Sequence, residues 1–159
     1  MNDCNTLIME LRILLLKHGW LLATAESCTG GLLDNMITSL PGSSEIFMGG
    51  VIAYSDQVKS NLLNVSAELL KKDGAVSTEA ALAMARGVRE LLKSSVGAAI
   101  TGIAGPGGGS KDKPVGLVYI AVVTPVSEMV ERFNFSGNRR EIKTLAAETA
   151  IDLMLRALK

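Results

Sequence analysis

Three serine- or glycine-rich turns, one lysine and one arginine pair are the residues of this chain best suited to chemistry. The first turn, residues 26–31 (ESCTGG), follows a short apolar run and precedes a helical pattern. Gly30 and Gly31 allow a ligand to approach the backbone. Free N–H groups at a helix start suit a phosphate or carboxylate, and Ser27 and Thr29 add hydroxyls. The same residues also suit a capped turn that needs glycine only for its geometry. Cys28 lies in this turn, where a helix start can lower a thiol pKa. It reads either as a thioester-forming nucleophile or as a buried structural thiol. The second turn, residues 41–45 (PGSSE), presents two hydroxyls, and Lys59 follows Ser44 by 15 residues. If Ser44 and Lys59 meet, a desolvated lysine can act as general base for a serine nucleophile. Spacing alone leaves a surface lysine and a turn serine as the other reading. The third turn, residues 101–110 (TGIAGPGGGS), follows another apolar run. Its first half suits an oxyanion hole or phosphate contact at a strand's C-terminal end. Its second half runs into Lys111, Asp112 and Lys113 and suits a solvated loop. Arg139 and Arg140 open the last helical pattern, where arginine works against the helix dipole. A bound anion would offset that cost; a solvated pair is the alternative.

Other chemistries lack their residues. The one histidine, His18, falls at a helix end and reads as a surface residue, so a Ser-His-Asp triad has no base. No His/Cys cluster has zinc-ligand spacing, although carboxylate-bound magnesium stays open. There is neither a GxxxxGK[ST] loop nor a GxGxxG opening the first helix.

The elements that must position these residues follow from periodicity. Apolar residues at Leu7, Ile8, Leu11, Leu14 and Leu15 give a helix over 5–18 that stops at Gly19. Residues 20–25 form a short buried strand, and 32–40 a helix closed by Pro41-Gly42. A second strand covers 49–54 and a helix with Lys59 covers 55–63. Ser66 and Ser77 read as N-caps of the next two helices. The stripe Ala81, Met84, Ala85, Val88, Leu91, Leu92 faces the core. Strands at 96–101, 116–124 and 128–135 follow, the last two joined by a short hairpin connection. Asn138 with Glu141 has the capping-box pattern and starts the final helix. Helices between the early strands imply parallel pairing. The expected fold is α/β, a three-layer α/β/α sandwich with a mixed, mostly parallel five-stranded sheet in one domain over 1–159.

Composition narrows the function classes. The 159 residues are 48% hydrophobic and 20% charged, with mean hydropathy +0.31. No segment supplies the roughly 18 uninterrupted apolar residues of a membrane span. The N-terminus has no basic region of a secretory signal, which points to a cytoplasmic protein. Two cysteines are too few for a disulfide framework and read as reduced thiols. Sixteen basic residues balance sixteen acidic ones and aromatics are 4%. Neither a basic field nor stacking platforms for nucleic acid are present. The apolar content and seven methionines fit a core or a subunit interface equally, and a homo-oligomer is the expectation.

Six segments resemble the CinA C-terminal domain family in order and spacing. They are AESCTGG (25–31), PGSS (41–44), GGVIAYSDQVKSNLLNV (49–65), GAVS (74–77), TGIAGPGGGSKDKPVG (101–116) and FSGNRREI (135–142). The resemblance covers nearly the whole chain and implies the three-layer fold. It also implies a nicotinamide-nucleotide amidohydrolase. Such enzymes convert nicotinamide mononucleotide and water to nicotinate mononucleotide and ammonia for pyridine-nucleotide salvage. Some members carry a further N-terminal domain resembling molybdopterin-binding proteins, for which 159 residues leave no room, so the stand-alone form is expected. The resemblance makes Ser44 the nucleophile and Lys59 its base, with Tyr54 beside both. Thr101, Gly102 and Arg139 fall at the same site, and Glu26, Ser27, Thr29, Gly30 and Gly31 are binding candidates. Lys143 stands where many relatives carry arginine. The implied partner is a small pyridine nucleotide, with no nucleic acid and no membrane, and the implied mechanism needs no metal and no cofactor. A non-catalytic nucleotide-binding regulatory module is the alternative function.

Overall fold

In the computed structural model, which describes residues 4–159, each apolar stretch becomes the element its period demands. The described residues form helices α1 (Cys4–His18), α2 (Leu32–Thr38), α3 (Asp56–Leu63), α4 (Ala67–Lys72), α5 (Thr78–Leu91) and α6 (Arg139–Leu158) and five strands. The strands are β1 (Leu22–Glu26), β2 (Phe47–Ile52), β3 (Val96–Gly102), β4 (Leu117–Val123) and β5 (Glu128–Asn134). They form one sheet in the order β2-β1-β3-β4-β5. The β1–β2 and β1–β3 pairs are parallel, whereas β3–β4 and β4–β5 are antiparallel. Four of the five strands thus point one way. The sequence expectation of a mixed, mostly parallel sheet in three layers holds.

Central strands carry the continuous apolar runs because both their faces are covered. Helices α1, α2 and α6 cover one face and α3, α4 and α5 the other. The first layer buries Leu11, Leu15, Leu33, Ile37, Ala146, Ala150 and Met154. The second buries Ala81, Met84, Ala85 and Val88 of α5 with Leu63 and Val65. Small residues set the spacing there. A Cβ on Gly87 would stand 2.0 Å from the Leu63 carbonyl oxygen, so glycine lets α5 lie directly against the end of α3. The methionines divide: Met84 and Met154 are core, whereas Met9 and Met48 are exposed.

The predicted caps form: Ser66 and Ser77 accept from the Leu69 and Ala80 N–H groups, and Asn138 with Glu141 makes the capping box. Ser55, read as the first residue of a helix, is instead the cap of α3 and accepts from the Val58 N–H. Two boundaries differ. Helix α2 ends at Thr38 rather than at Leu40, because Ser43 Oγ turns its proton to the Ile37 and Leu40 carbonyls at 2.5 and 2.7 Å. Strand β2 starts and ends two residues early. Phe47 already pairs with Leu22 across a register shift, and the chain must leave the sheet before the Ser55 cap. No helix among the described residues is long and apolar enough to cross a membrane.

The connection from β1 to β2 runs through α2 on one face. The connection from β2 to β3 passes over β1 through α3, α4 and α5 on the other. The carboxyl ends of β1 and β3 therefore flank a topological switch point, where the two crossovers leave a crevice.

Candidate active site at the switch point

Ser27 is the first residue after β1, and its N–H donates to the Ile100 carbonyl of β3 at 2.9 Å. That bond fixes it in the crevice. Lys59 comes from α3, one turn after the Ser55 cap. It is 1% exposed and the largest of the fully buried side chains. Its Nζ donates to Ser27 Oγ and to the Tyr54 carbonyl, each at 3.2 Å. Asp56 Oδ1 lies 3.8 Å away but is largely in water. Burial pulls the Lys59 pKa below its ordinary value and outweighs the opposing pull of Asp56. A buried amine touching a hydroxyl, with only a screened carboxylate nearby, is a candidate base.

The surrounding wall comes from three loops. Thr101 Oγ1 donates to the Ala75 carbonyl at 2.7 Å, which ties the end of β3 to the segment before α5. Arg139 donates to the Gly105 carbonyl at 2.7 Å and to the Tyr54 hydroxyl at 3.2 Å. It draws the third glycine turn and the β2–α3 corner together. These residues, with Ser27, Lys59 and Gly102, line a cavity of about 280 Å³. A second cavity of about 750 Å³ adjoins it, sharing Ala104 and Arg139.

The Ser44–Lys59 pairing does not form. Ser44 is exposed and lies in the 3-10 turn Ser43–Glu45 at the amino end of β2. Lys59 lies past the carboxyl end of β2, and a six-residue strand spans about 20 Å. The hydroxyl that meets Lys59 is Ser27, which the sequence offered only as a binding residue. Its place directly after an apolar strand and before two glycines was the available signal. Glu26 is also corrected. It is fully buried and its carboxylate accepts from the Gly31, Leu33 and Asp34 N–H groups at 3.0, 3.2 and 2.9 Å. Those bonds spend it on capping α2 and shaping the Ser27 turn. Thr29 is 1% exposed and, like Gly30 and Gly31, does not line the cavity. Glycine at 30 and 31 serves the turn, since both have positive φ.

Cys28 lines the cavity, but burial pushes its thiol pKa up to about 11. A raised pKa keeps the thiol protonated at neutral pH, which suits the second of its two readings better than the first. His18 is exposed, stacked on Trp20 and bonded to the Leu158 carbonyl. Among the described residues no three metal-ligating side chains come together.

Fold and site together define an α/β domain with a polar cavity at the sheet's switch point. Residues 5–158 match the model of the CinA C-terminal domain, and the chain belongs to that family. A CinA-like protein of Syntrophomonas wolfei is 50% identical over 99% of this chain and 38% of its own length. One of Desulfotalea psychrophila is 46% identical over 98% and 38%. The chain thus spans little more than a third of the curated relatives it matches. Among solved structures, the competence/damage inducible protein CihA of Agrobacterium tumefaciens is 37% identical, with TM-score 0.94 over 99% of this chain and 96% of its own. A competence or damage-inducible protein of Enterobacter asburiae is 30% identical, with TM-score 0.96 over the whole of both chains.

Proposed function

We propose that this domain is an amidohydrolase that cleaves the carboxamide of nicotinamide mononucleotide, with Ser27 as nucleophile and Lys59 as general base. The observation that carries the reading is the buried Lys59 amine 3.2 Å from Ser27 Oγ at the switch-point cavity. In its neutral form Lys59 takes the Ser27 proton as Oγ bonds to the carboxamide carbon. Backbone N–H groups of a glycine turn at the cavity stabilise the oxyanion. The carbon–nitrogen bond then breaks, and the nitrogen leaves as ammonia with the proton that Lys59 carried. Lys59 next deprotonates a water, which attacks the nicotinoyl ester and releases nicotinate mononucleotide. Ser27 regains its proton, so the cycle consumes one water. Tyr54 and Arg139, bonded to each other, hold the mouth of the cavity.

The test is ammonia release from nicotinamide mononucleotide by wild type, Ser27→Ala, Lys59→Met and Ser44→Ala. Wild-type release that is lost in the first two variants and retained in Ser44→Ala is the expected outcome. Release that survives Ser27→Ala overturns the nucleophile. No release by a folded wild type leaves the regulatory binding module as the reading.

A further inference from the structure

The larger of the two adjoining cavities, about 750 Å³, plays no part in the steps above. Its apolar side is Leu32, Ala104, Pro106 and Val115, and its charged side is Arg139, Arg140 and Lys143. The three cations differ in what they already hold. Arg139 spends two guanidinium nitrogens on the Gly105 carbonyl and the Tyr54 hydroxyl. Arg140 and Lys143, three residues apart on one face of α6, make no ion pair among the described residues; the paired cations are Arg12, Lys59, Arg86, Arg156 and Lys159. The helix end itself is occupied, because Asn138 accepts from the Arg140 and Glu141 N–H groups. An anion in the cavity would therefore be met by side chains. Lys143 also reaches over the turn that carries Ser27: its Nζ lies 3.7 Å from where a Cβ on Gly30 would stand.

We infer that this cavity binds the anionic end of the substrate, a phosphate monoester gripped by Arg140 and Lys143 while the ribose reaches toward the smaller cavity. The inference rests on the proposed hydrolytic reading for the placement of the reacting amide in the smaller cavity. It adds which residues select a charged ligand. Lysine and arginine serve here as a point charge and a fork on one phosphate.

Binding of ribose 5-phosphate and of ribose to the whole chain, by calorimetry at low salt, tests this without turnover. Ribose 5-phosphate is expected to bind about tenfold or more tighter than ribose, the gain of one good charge-assisted contact. Arg140→Gln with Lys143→Gln should erase the difference, and Lys143→Arg should keep it. Added salt should shrink it. Equal binding of the two sugars, or a preference that survives the double substitution, overturns the inference. Ser27→Ala separates it from the reaction: ammonia release is lost while ribose 5-phosphate affinity stays. A wild type that binds ribose 5-phosphate through these cations but releases no ammonia would keep the anion site and remove the proposed reaction.

Discussion

The chain holds two serine turns of similar composition at opposite ends of neighbouring parallel strands. The turn after β1 contains Ser27, and the turn before β2 contains Ser44. The first stands at the carboxyl ends of β1, β2 and β3, where loops from three connections converge and the crossovers part. There Ser27 meets a buried amine. The second stands at the amino ends, against α1 and α2. Its Ser43 hydroxyl closes α2, and the neighbouring Glu45 pairs with Arg12. Ser44 is left in solvent. Hydroxyl content and glycine do not distinguish a turn at the cavity from one that only closes a helix. Which end of a parallel sheet the turn occupies does, because only one end has a crevice in which side chains from several loops lose water together.

The comparison breaks most easily on activity. Ser27→Ala and Lys59→Met should each lower kcat/KM for ammonia release by about a thousandfold or more, and Ser44→Ala by less than about twofold. Equal losses at the two serines would end the distinction. Stability gives the next largest contrast. Glu26→Ala strips a buried carboxylate from three N–H donors and should cost about 2–4 kcal/mol in urea unfolding. On the other turn, Ser43→Ala should cost about 1 kcal/mol and leave turnover intact.

A pH series sharpens the electrostatic side. The folded-state pKa of Lys59 lies below its ordinary 10.5, so between the two values the unfolded chain holds the extra proton. Wild-type stability should therefore rise with pH through that window. Lys59→Met should be the more stable protein at neutral pH, with the gap closing as pH approaches 10.5. Ammonia release should climb over the same range as the neutral amine appears. A gap between the two proteins that does not change with pH would mean that Lys59 is not desolvated in the fold. The smallest effect concerns Cys28. With its pKa at about 11, it should resist alkylation at pH 8 in the folded protein and react once urea unfolds it.

Periodicity and turn chemistry alone determined the five strands, the six helices, the hairpin and the caps at Ser66, Ser77 and Asn138. These are local properties: a 3.6 or 2-residue period and a hydroxyl three residues before an N–H are written in consecutive positions. The candidate residues were legible as types too, since Ser27, Lys59, Thr101 and Arg139 all reach the cavity. Their pairing was not. Ser27 and Lys59 are 32 residues apart, and Ser44 lies nearer to Lys59 in sequence yet at the far end of β2. Only the parallel register of β1 against β2 and β3 decided which serine shares a crevice with the lysine. Only burial decided that this lysine sheds its proton easily and that Glu26 serves the backbone. Both depend on groups brought together from distant parts of the chain, and desolvation has no signature in the spacing of residues.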